Sequence, residues 1–326
     1  MLEKIRSWLY KDTRPEVIVV VGPTASGKTS FAINLAHKLA QKGIEAEIIS
    51  ADTRQIYREI PVFSAAVTQQ DMLGIPHHLV GTQSVRDKVE ISAAWFRDQV
   101  DTLVQDITQR GRIPIIAGGS AFWVQGILFV DDYPKVEPNH DLRKELETVP
   151  LDQLQERLQQ LDPQRFAQID IENPRRLIRA IEIATALGYV PEMKYTVRKE
   201  WNTRLVYLDY PKQYVDERIT RGVAMRFEQG LAEEAERLAT LVSHTTMLEL
   251  GLAYKYYEQY QEGTLSKEEW ITHTIREEIR YAKRQRTFFK KMLTYYTSIT
   301  MRLSDPQERD QAIHKLICAI NRKFVK

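Results

Sequence analysis

The strongest constraint on this chain lies near its start. Glu16-Val17-Ile18-Val19-Val20-Val21 is a β-branched run that stops at Gly22, and Gly22-Pro23-Thr24-Ala25-Ser26-Gly27-Lys28-Thr29 follows directly. The run shows no apolar–polar alternation, so it predicts a strand buried on both faces, as in a parallel sheet. The next segment has the G-x-x-x-x-G-K-[ST] spacing of a phosphate loop and leads into a helical pattern with Phe31, Leu35 and Leu39 on one side. Glycines let the backbone wrap an anion closely, and successive N–H groups at the helix N-terminus then point at its oxygens. Lys28 supplies positive charge and the Thr29 hydroxyl can ligate Mg²⁺. A structural glycine turn is the competing reading, and the agreement of motif with context weighs against it. Phosphate or diphosphate binding is therefore expected at Gly22, Ala25, Ser26, Gly27, Lys28 and Thr29. The loop alone does not identify a reaction, since most such loops serve nucleotide hydrolysis or phosphoryl transfer.

Ala46 to Ser50 and Ile113 to Ala117 are further short apolar runs with helical stretches between them, which argues for a parallel α/β sheet. From Asp131 to about Trp201 the pattern is helical, with no convincing strand. Leu151-Asp152-Gln153-Leu154 opens one helix there; Asn173-Pro174-Arg175 opens another that closes near Gly188, with Pro191 beyond. Leu205 to Asp209 reads as a strand again, followed by helices to the end. The expected fold is an α/β P-loop NTPase-like core with a parallel sheet, formed by 1–130 and 202–326, and a small inserted helical domain at 131–201. The 326 residues are 43% hydrophobic and 28% charged, enough to bury such a core. The single cysteine, Cys318, rules out a disulfide framework or a multi-cysteine zinc site within one chain. Net charge is only +2, so any nucleic-acid surface must come from local clustering. No apolar run reaches the ~20 residues that span a bilayer. Met1 to Pro15 lacks the apolar core of a signal peptide and the character of a transit peptide. A cytoplasmic monomer with no membrane partner is expected.

Asp52 ends the second predicted strand, within Ser50-Ala51-Asp52-Thr53-Arg54-Gln55-Ile56-Tyr57. A carboxylate there faces the crevice beside the phosphate loop. It could hold Mg²⁺, activate a hydroxyl or take a proton from an attacking amine; the competing reading is an N-cap. At ~100° per residue, Arg276, Arg280, Lys283, Arg284, Lys290 and Lys291 share one face of a C-terminal helix. Ile275, Ala282, Phe289 and Leu293 lie opposite, with Phe288 and Met292 nearby. Such a stripe suits RNA backbone phosphates, against the alternative of an ordinary solvated face. Arg175, Arg176 and Arg179 form a smaller cluster, suited either to RNA or diphosphate contact or to ion pairs with Glu172 or Glu182. His77-His78 has no cysteine nearby and reads as a loop brace rather than a metal site.

The phosphate loop, the Ser50 to Tyr57 stretch, Ile75-Pro76-His77-His78-Leu79, Asn173-Pro174-Arg175-Arg176 and Tyr281-Ala282-Lys283-Arg284-Gln285 occur in this order. Together they resemble the tRNA dimethylallyltransferase (tRNA isopentenyltransferase) family, over roughly Val17 to Phe289. The resemblance implies a P-loop core pierced by a channel. In that channel a dimethylallyl group passes from dimethylallyl diphosphate to the N6 amine of an anticodon-loop adenine, position 37 of tRNA. The base must be flipped out, because a stacked base cannot present its amine to a buried electrophile. By resemblance, Asp52 is the general base and Thr24 lies near the bridging oxygen of the diphosphate. Ser26, Gly27, Lys28 and Thr29 cradle the diphosphate, with Mg²⁺ on Thr29. Gln55 reads neighbouring bases, and Arg54, Arg175, Arg176, Arg280, Lys283, Arg284 and Gln285 belong to the tRNA side.

The chain departs from that family pattern at three places. Phe63-Ser64-Ala65-Ala66-Val67 replaces a Gly-Thr-Ala-Lys-Pro run, so a lysine is missing. Gly118-Gly119-Ser120-Ala121-Phe122-Trp123 replaces Gly-Gly-Thr-Gly-Leu-Tyr, adding bulk to the expected channel wall. Gly222 stands where the family carries a diphosphate-steadying arginine, which implies a shifted helix register, a reach from Arg218 or Arg221, or a slow enzyme. Phe288 also replaces a frequent tryptophan. Three alternatives remain open: an isopentenyltransferase acting on AMP, ADP or ATP, a P-loop kinase or NTPase, and a catalytically weak RNA-binding relative.

Overall fold

The computed structural model describes residues 13–87, 91–130, 136–192, 195–296 and 299–324. β1 (Glu16–Val21) runs into α1 (Lys28–Ala40), and β2 (Ala46–Ser50) is followed by α2 (Gln69–Met72) and β3 (His77–His78). α3 (Ala93–Gln109) leads to β4 (Ile113–Gly118), α4 (Ala121–Leu128) and β5 (Phe129–Val130). Next come α5 (His140–Glu147), α6 (Leu151–Leu161), α7 (Pro163–Phe166), α8 (Pro174–Leu187) and β6 (Thr196–Val197). β7 (Asn202–Leu208) precedes α9 (Lys212–Glu228), α10 (Leu231–Ala239), α11 (His244–Leu250) and α12 (Tyr257–Gln261). α13 (Lys267–Thr294), β8 (Ile299–Leu303) and α14 (Arg309–Phe324) complete the order.

Six strands form one sheet in the order β3-β2-β4-β1-β7-β8, and every pairing in it is parallel. β1 is central, and its lack of alternation follows from burial on both faces. Ile18 and Val20 enter one core with Phe31 and Leu35 of α1, Ile219 of α9 and Ile313 of α14. Val17, Val19 and Val21 enter the other with Phe96 of α3, Val124 of α4 and Phe289 of α13. Each such side chain contributes about 1.5–3 kcal/mol by leaving water. The chain builds β2 on one side of β1, with β4 between them, and adds β7 and β8 on the other. The carboxyl ends of β1 and β4 therefore border a topological switch point, where α/β proteins place their ligands.

His77 and His78 form the edge strand β3 instead of a loop brace. The His78 Nε2 lies 2.7 Å from the buried Glu47 carboxylate, which Arg110 and Arg112 also bind. Burial alone would raise that carboxyl, but these hydrogen bonds bring it down to about 2. Among the described residues no group of three or more His, Cys, Asp or Glu is placed to hold a metal, and no helix is long and apolar enough to cross a membrane.

The chain divides into two compact units, Met1–Phe129 with Val197–Lys326, and Val130–Thr196. The second unit has its own core of Leu146, Leu154, Leu158, Leu177 and Ile181. Asn173 caps α8 through the Arg176 N–H, Pro174 fills its first turn, and Gly188 ends it in a left-handed conformation. Here the arginine cluster makes ion pairs: Arg179 and Arg143 bind the buried Glu182, and Arg176 lies 3.2 Å from Asp170. Arg175 and Arg176 stay on the surface.

Candidate active site

The phosphate loop is held from several sides. Gly27 caps α1 at φ 79°, a conformation that glycine adopts without a Cβ penalty. The Thr24 N–H donates to Gln285 Oε1 at 2.8 Å, and Gln285 Nε2 donates to the Gly119 carbonyl at 2.8 Å. A Cβ on Gly119 would fall 2.9 Å from Gln285 Nε2 and 3.2 Å from Lys28 Nζ, so a larger residue there would push the Gln285 amide off this contact. Gln285, expected on the tRNA side, is instead 5% exposed and braces the loop from α13. Lys28 Nζ donates to Pro23 O at 2.7 Å. Burial pushes its ammonium down to about 8, although the Asp52 charge pulls the other way. The Thr29 hydroxyl has no hydrogen-bond partner among the described residues, and the buried Ser26 Oγ has none either.

Asp52 follows the end of β2. Its Oδ1 accepts the Arg54 N–H at 2.9 Å and the Gln55 N–H at 3.4 Å. It thus caps a turn and not a helix, and Oδ2 is left for other partners. Ser120 Oγ accepts the Thr53 N–H at 2.9 Å, so the hydroxyl kept at that position holds the turn. A Cβ on Gly118 would come within 2.0 Å of the Ala51 carbonyl; the two strand ends meet there. The added bulk of Ala121 and Phe122 stays out of the cavity, with Phe122 52% exposed.

Thr24, Lys28, Asp52, Arg218, Tyr281 and Arg284 share one cavity of about 460 Å³. Arg54 lines it too, as do Phe63, Ser64 and Ala65 of the segment that departs from the family pattern. That segment is clamped by the buried Glu234, which accepts the Val62 and Phe63 N–H groups at 2.7 and 2.8 Å. Gln55 is engaged within the protein: Oε1 accepts from Ser50 at 2.8 Å, and Nε2 donates to the Ala65 carbonyl at 3.3 Å. Reading a base through it would require exchanging those bonds.

Arg221 does not reach the cavity. It is exposed beside Asp216 and Glu217 on the outer side of α9, while Arg218 and Gly222 face inward. Arg221 follows Arg218 by three positions, but the buried line Val215, Ile219, Val223 and Phe227 sets the phase and turns Arg221 out. Arg218 Nε donates to the Ala25 carbonyl at 2.7 Å. Nothing lies within 4 Å of a Cβ built on Gly222. One turn further on, Arg226 binds Glu278 of α13 at 2.7 and 2.8 Å and the Phe63 carbonyl at 2.7 Å. The sequence reading missed Tyr281 as a wall residue; burial, then the charge of Asp52, pushes its hydroxyl up.

α13 begins with a capping box of Ser266 and Glu269 and buries Trp270, Thr274, Glu278, Ala282, Gln285 and Phe289. Arg276, Arg280, Lys283, Arg284, Lys290 and Lys291 are all exposed. Arg280 pairs with Glu277 at 3.0 Å, and the Arg284 guanidinium sits 5.8 Å from the Tyr281 ring centre at the cavity wall.

An anion cradle and a carboxylate within one cavity, with a basic helix face beside them, suit displacement of a phosphate-bearing leaving group by a second substrate. That arrangement defines a P-loop transferase. The chain belongs to the IPP transferase family, whose model matches residues 55–292. It is 37% identical over 281 residues to the tRNA dimethylallyltransferase of an Exiguobacterium species, covering 84% of this chain and 87% of that protein. It is 34% identical over 291 residues to the tRNA dimethylallyltransferase of a Bacillus cereus strain, covering 86% and 88%. The crystal structure of the tRNA isopentenylpyrophosphate transferase from Bacillus halodurans superposes with a TM-score of 0.66 at 30% identity, covering 95% of this chain and 97% of that one. A eukaryotic dimethylallyltransferase crystallised acting on tRNA shares the fold with a TM-score of 0.76 at 24% identity, over 95% and 79% of the two chains.

Proposed function

We propose that this enzyme transfers a dimethylallyl group from dimethylallyl diphosphate to the N6 amine of an anticodon-loop adenine in tRNA. The observation that carries the reading is the shared cavity, in which Lys28 of the phosphate loop and Asp52 feel each other's charge. The diphosphate sits on the N–H groups of the loop, with Lys28 and Arg218 beside it. Of the two arginines expected to reach in, Arg218 takes the steadying part, because it lines the cavity and Arg221 does not. Thr29 has a free hydroxyl that fits Mg²⁺ arriving with the diphosphate, in the way phosphate-loop sites hold it. Bound there, the ion would neutralise charge on the leaving group.

The adenine N6 attacks C1 of the prenyl group, an N–C bond forms, and the C–O bond to diphosphate breaks. Asp52 accepts the proton that N6 loses. Charge gathers on the leaving diphosphate, where the loop N–H groups, Lys28 and Arg218 stabilise it; losing one such contact costs about 10²- to 10³-fold in rate. The exposed stripe from Arg276 to Lys291, with Arg284 at the cavity wall, suits the tRNA backbone around the flipped base.

The test is a paired incubation with dimethylallyl diphosphate and Mg²⁺, one tube with unmodified tRNA and one with AMP and ATP, read by nucleoside mass spectrometry. Prenylated adenosine from tRNA alone is the expected result. Product from the mononucleotides alone overturns the tRNA assignment. Bound tRNA without product leaves an RNA-binding relative.

A further inference from the structure

One arginine has no part in this scheme. Arg309 lies beyond the matched residues 55–292, and it does not line the cavity. Yet its Nη2 donates to the carbonyls of Ser26 at 3.1 Å and Gly27 at 2.7 Å, from behind the phosphate loop. Its Nε donates to the Tyr210 hydroxyl at 2.9 Å, and its guanidinium carbon lies 5.7 Å from that ring's centre. The helix that carries it is anchored. Ile313, Leu316 and Ile320 of α14 enter the core beside α1, and Asp310 pairs with Lys38 of α1 at 2.7 Å.

The two carbonyls share rigid peptide planes with the N–H groups of Gly27 and Lys28. In an anion nest the N–H edges of such planes face the ligand and the C=O edges face away. A cation bonded to the C=O edges fixes each plane and polarises it, which strengthens the N–H donors on the other side. The approach is close enough to need glycine: a Cβ on Gly27 would lie 2.3 Å from Arg309 Nη2. Arg218 also bonds a loop carbonyl, that of Ala25, but it lines the cavity and can touch substrate itself.

We propose that Arg309 is a positioning residue for the transfer, holding and polarising the Gly27 and Lys28 peptide groups so that the loop is ready for the diphosphate before it arrives. The proposal rests on the reading of the phosphate loop as the diphosphate site. It makes the C-terminal helix part of the catalytic apparatus through one side chain.

The experiment compares the full chain with Arg309→Ala, Arg309→Lys and Asp310→Asn. Calorimetry gives the affinity for inorganic pyrophosphate with Mg²⁺, and steady-state assays give kcat and the KM for each substrate. Arg309→Ala is expected to weaken pyrophosphate binding and raise the KM for dimethylallyl diphosphate by about tenfold, below the cost of a direct oxyanion donor. The KM for tRNA stays unchanged, and added guanidinium ion restores part of the loss. Arg309→Lys falls between, since it keeps charge without the fork. Asp310→Asn removes the Lys38 ion pair and a charge near Arg309 but leaves the guanidinium's bonds to the loop carbonyls, so it is expected to shift these values far less than Arg309→Ala. Wild-type pyrophosphate affinity in Arg309→Ala overturns the proposal, as does an equal loss for both substrates that guanidinium does not repair. A wild-type chain that ignores pyrophosphate overturns the diphosphate reading itself, and this proposal with it.

Discussion

Lys28 sets a pH dependence that can be worked out in advance. Burial lowers its ammonium to about 8 in the free protein, with Asp52 opposing the shift. A bound diphosphate adds negative charge at the amine and restores the protonated form. Binding therefore takes up protons: about half a proton at pH 8 and about 0.9 at pH 9. Affinity for pyrophosphate should fall about tenfold between pH 7 and pH 9. Saturating Mg²⁺ keeps the pyrophosphate ionised across that window, so the change reports the protein. Calorimetry in two buffers of different ionisation enthalpy counts the protons directly. Asp52→Asn removes the charge that props Lys28 up, so the fall should begin below pH 8. A flat affinity from pH 7 to pH 9 with no proton uptake would refute the reasoning.

The same shift has a stability consequence with a definite sign. Lowering from 10.5 to about 8 disfavours the charged amine in the folded state. Below pH 8 that cost is present in full, and it fades as pH rises from 8 towards 10.5. At 1.36 kcal/mol per unit it amounts to about 3 kcal/mol at neutral pH. Lys28→Met loses the bond to the Pro23 carbonyl, worth about 1 kcal/mol. It should still leave the ligand-free protein more stable by about 2 kcal/mol in urea unfolding at pH 7, and that gain should be gone by pH 11.

Asp52→Ala should leave pyrophosphate and tRNA binding nearly intact while removing most turnover; retained turnover would place the base elsewhere. Arg226 and Glu278 are 12% and 9% exposed, so Glu278→Leu alone strands a buried charge and should cost about 3–5 kcal/mol in urea unfolding. Adding Arg226→Met should recover most of that loss, since a packed apolar pair replaces a desolvated ionic one. Gly222→Arg meets no atom within 4 Å at its Cβ; it should raise pyrophosphate affinity and gain about 0.5–1 kcal/mol of helix stability, measured by calorimetry and unfolding. Charge reversal at Arg280 and Arg284 together should weaken tRNA binding and reduce its salt slope by about 1 per lost phosphate contact. An unchanged slope would remove the stripe from the tRNA surface.

What was legible in the sequence was local. β1 and its loop could be read because a fully buried central strand shows as an unbroken apolar run, and because the anion cradle is one contiguous stretch. β3 could not, since two histidines carry no strand pattern and owe their place to pairing with Ile48 and Ile49. Arg309 could not either: only the packing of a distant helix brings it behind Gly27. Other errors were avoidable. In α9 the line Val215, Ile219, Val223 and Phe227 is buried, so Arg221, two residues from Ile219 and from Val223, stands ~200° from that line and points out. Arg218, Gly222 and Arg226 each precede one of its members and border the core, which is why they line the cavity. In α13 Gln285 follows Ala282 by three residues and precedes Phe289 by four, which puts it on the buried stripe rather than with Lys283 and Arg284. Helix phase, counted from the apolar residues before any charge was assigned a task, separates the arginines and glutamine that serve the cavity from those that face solvent.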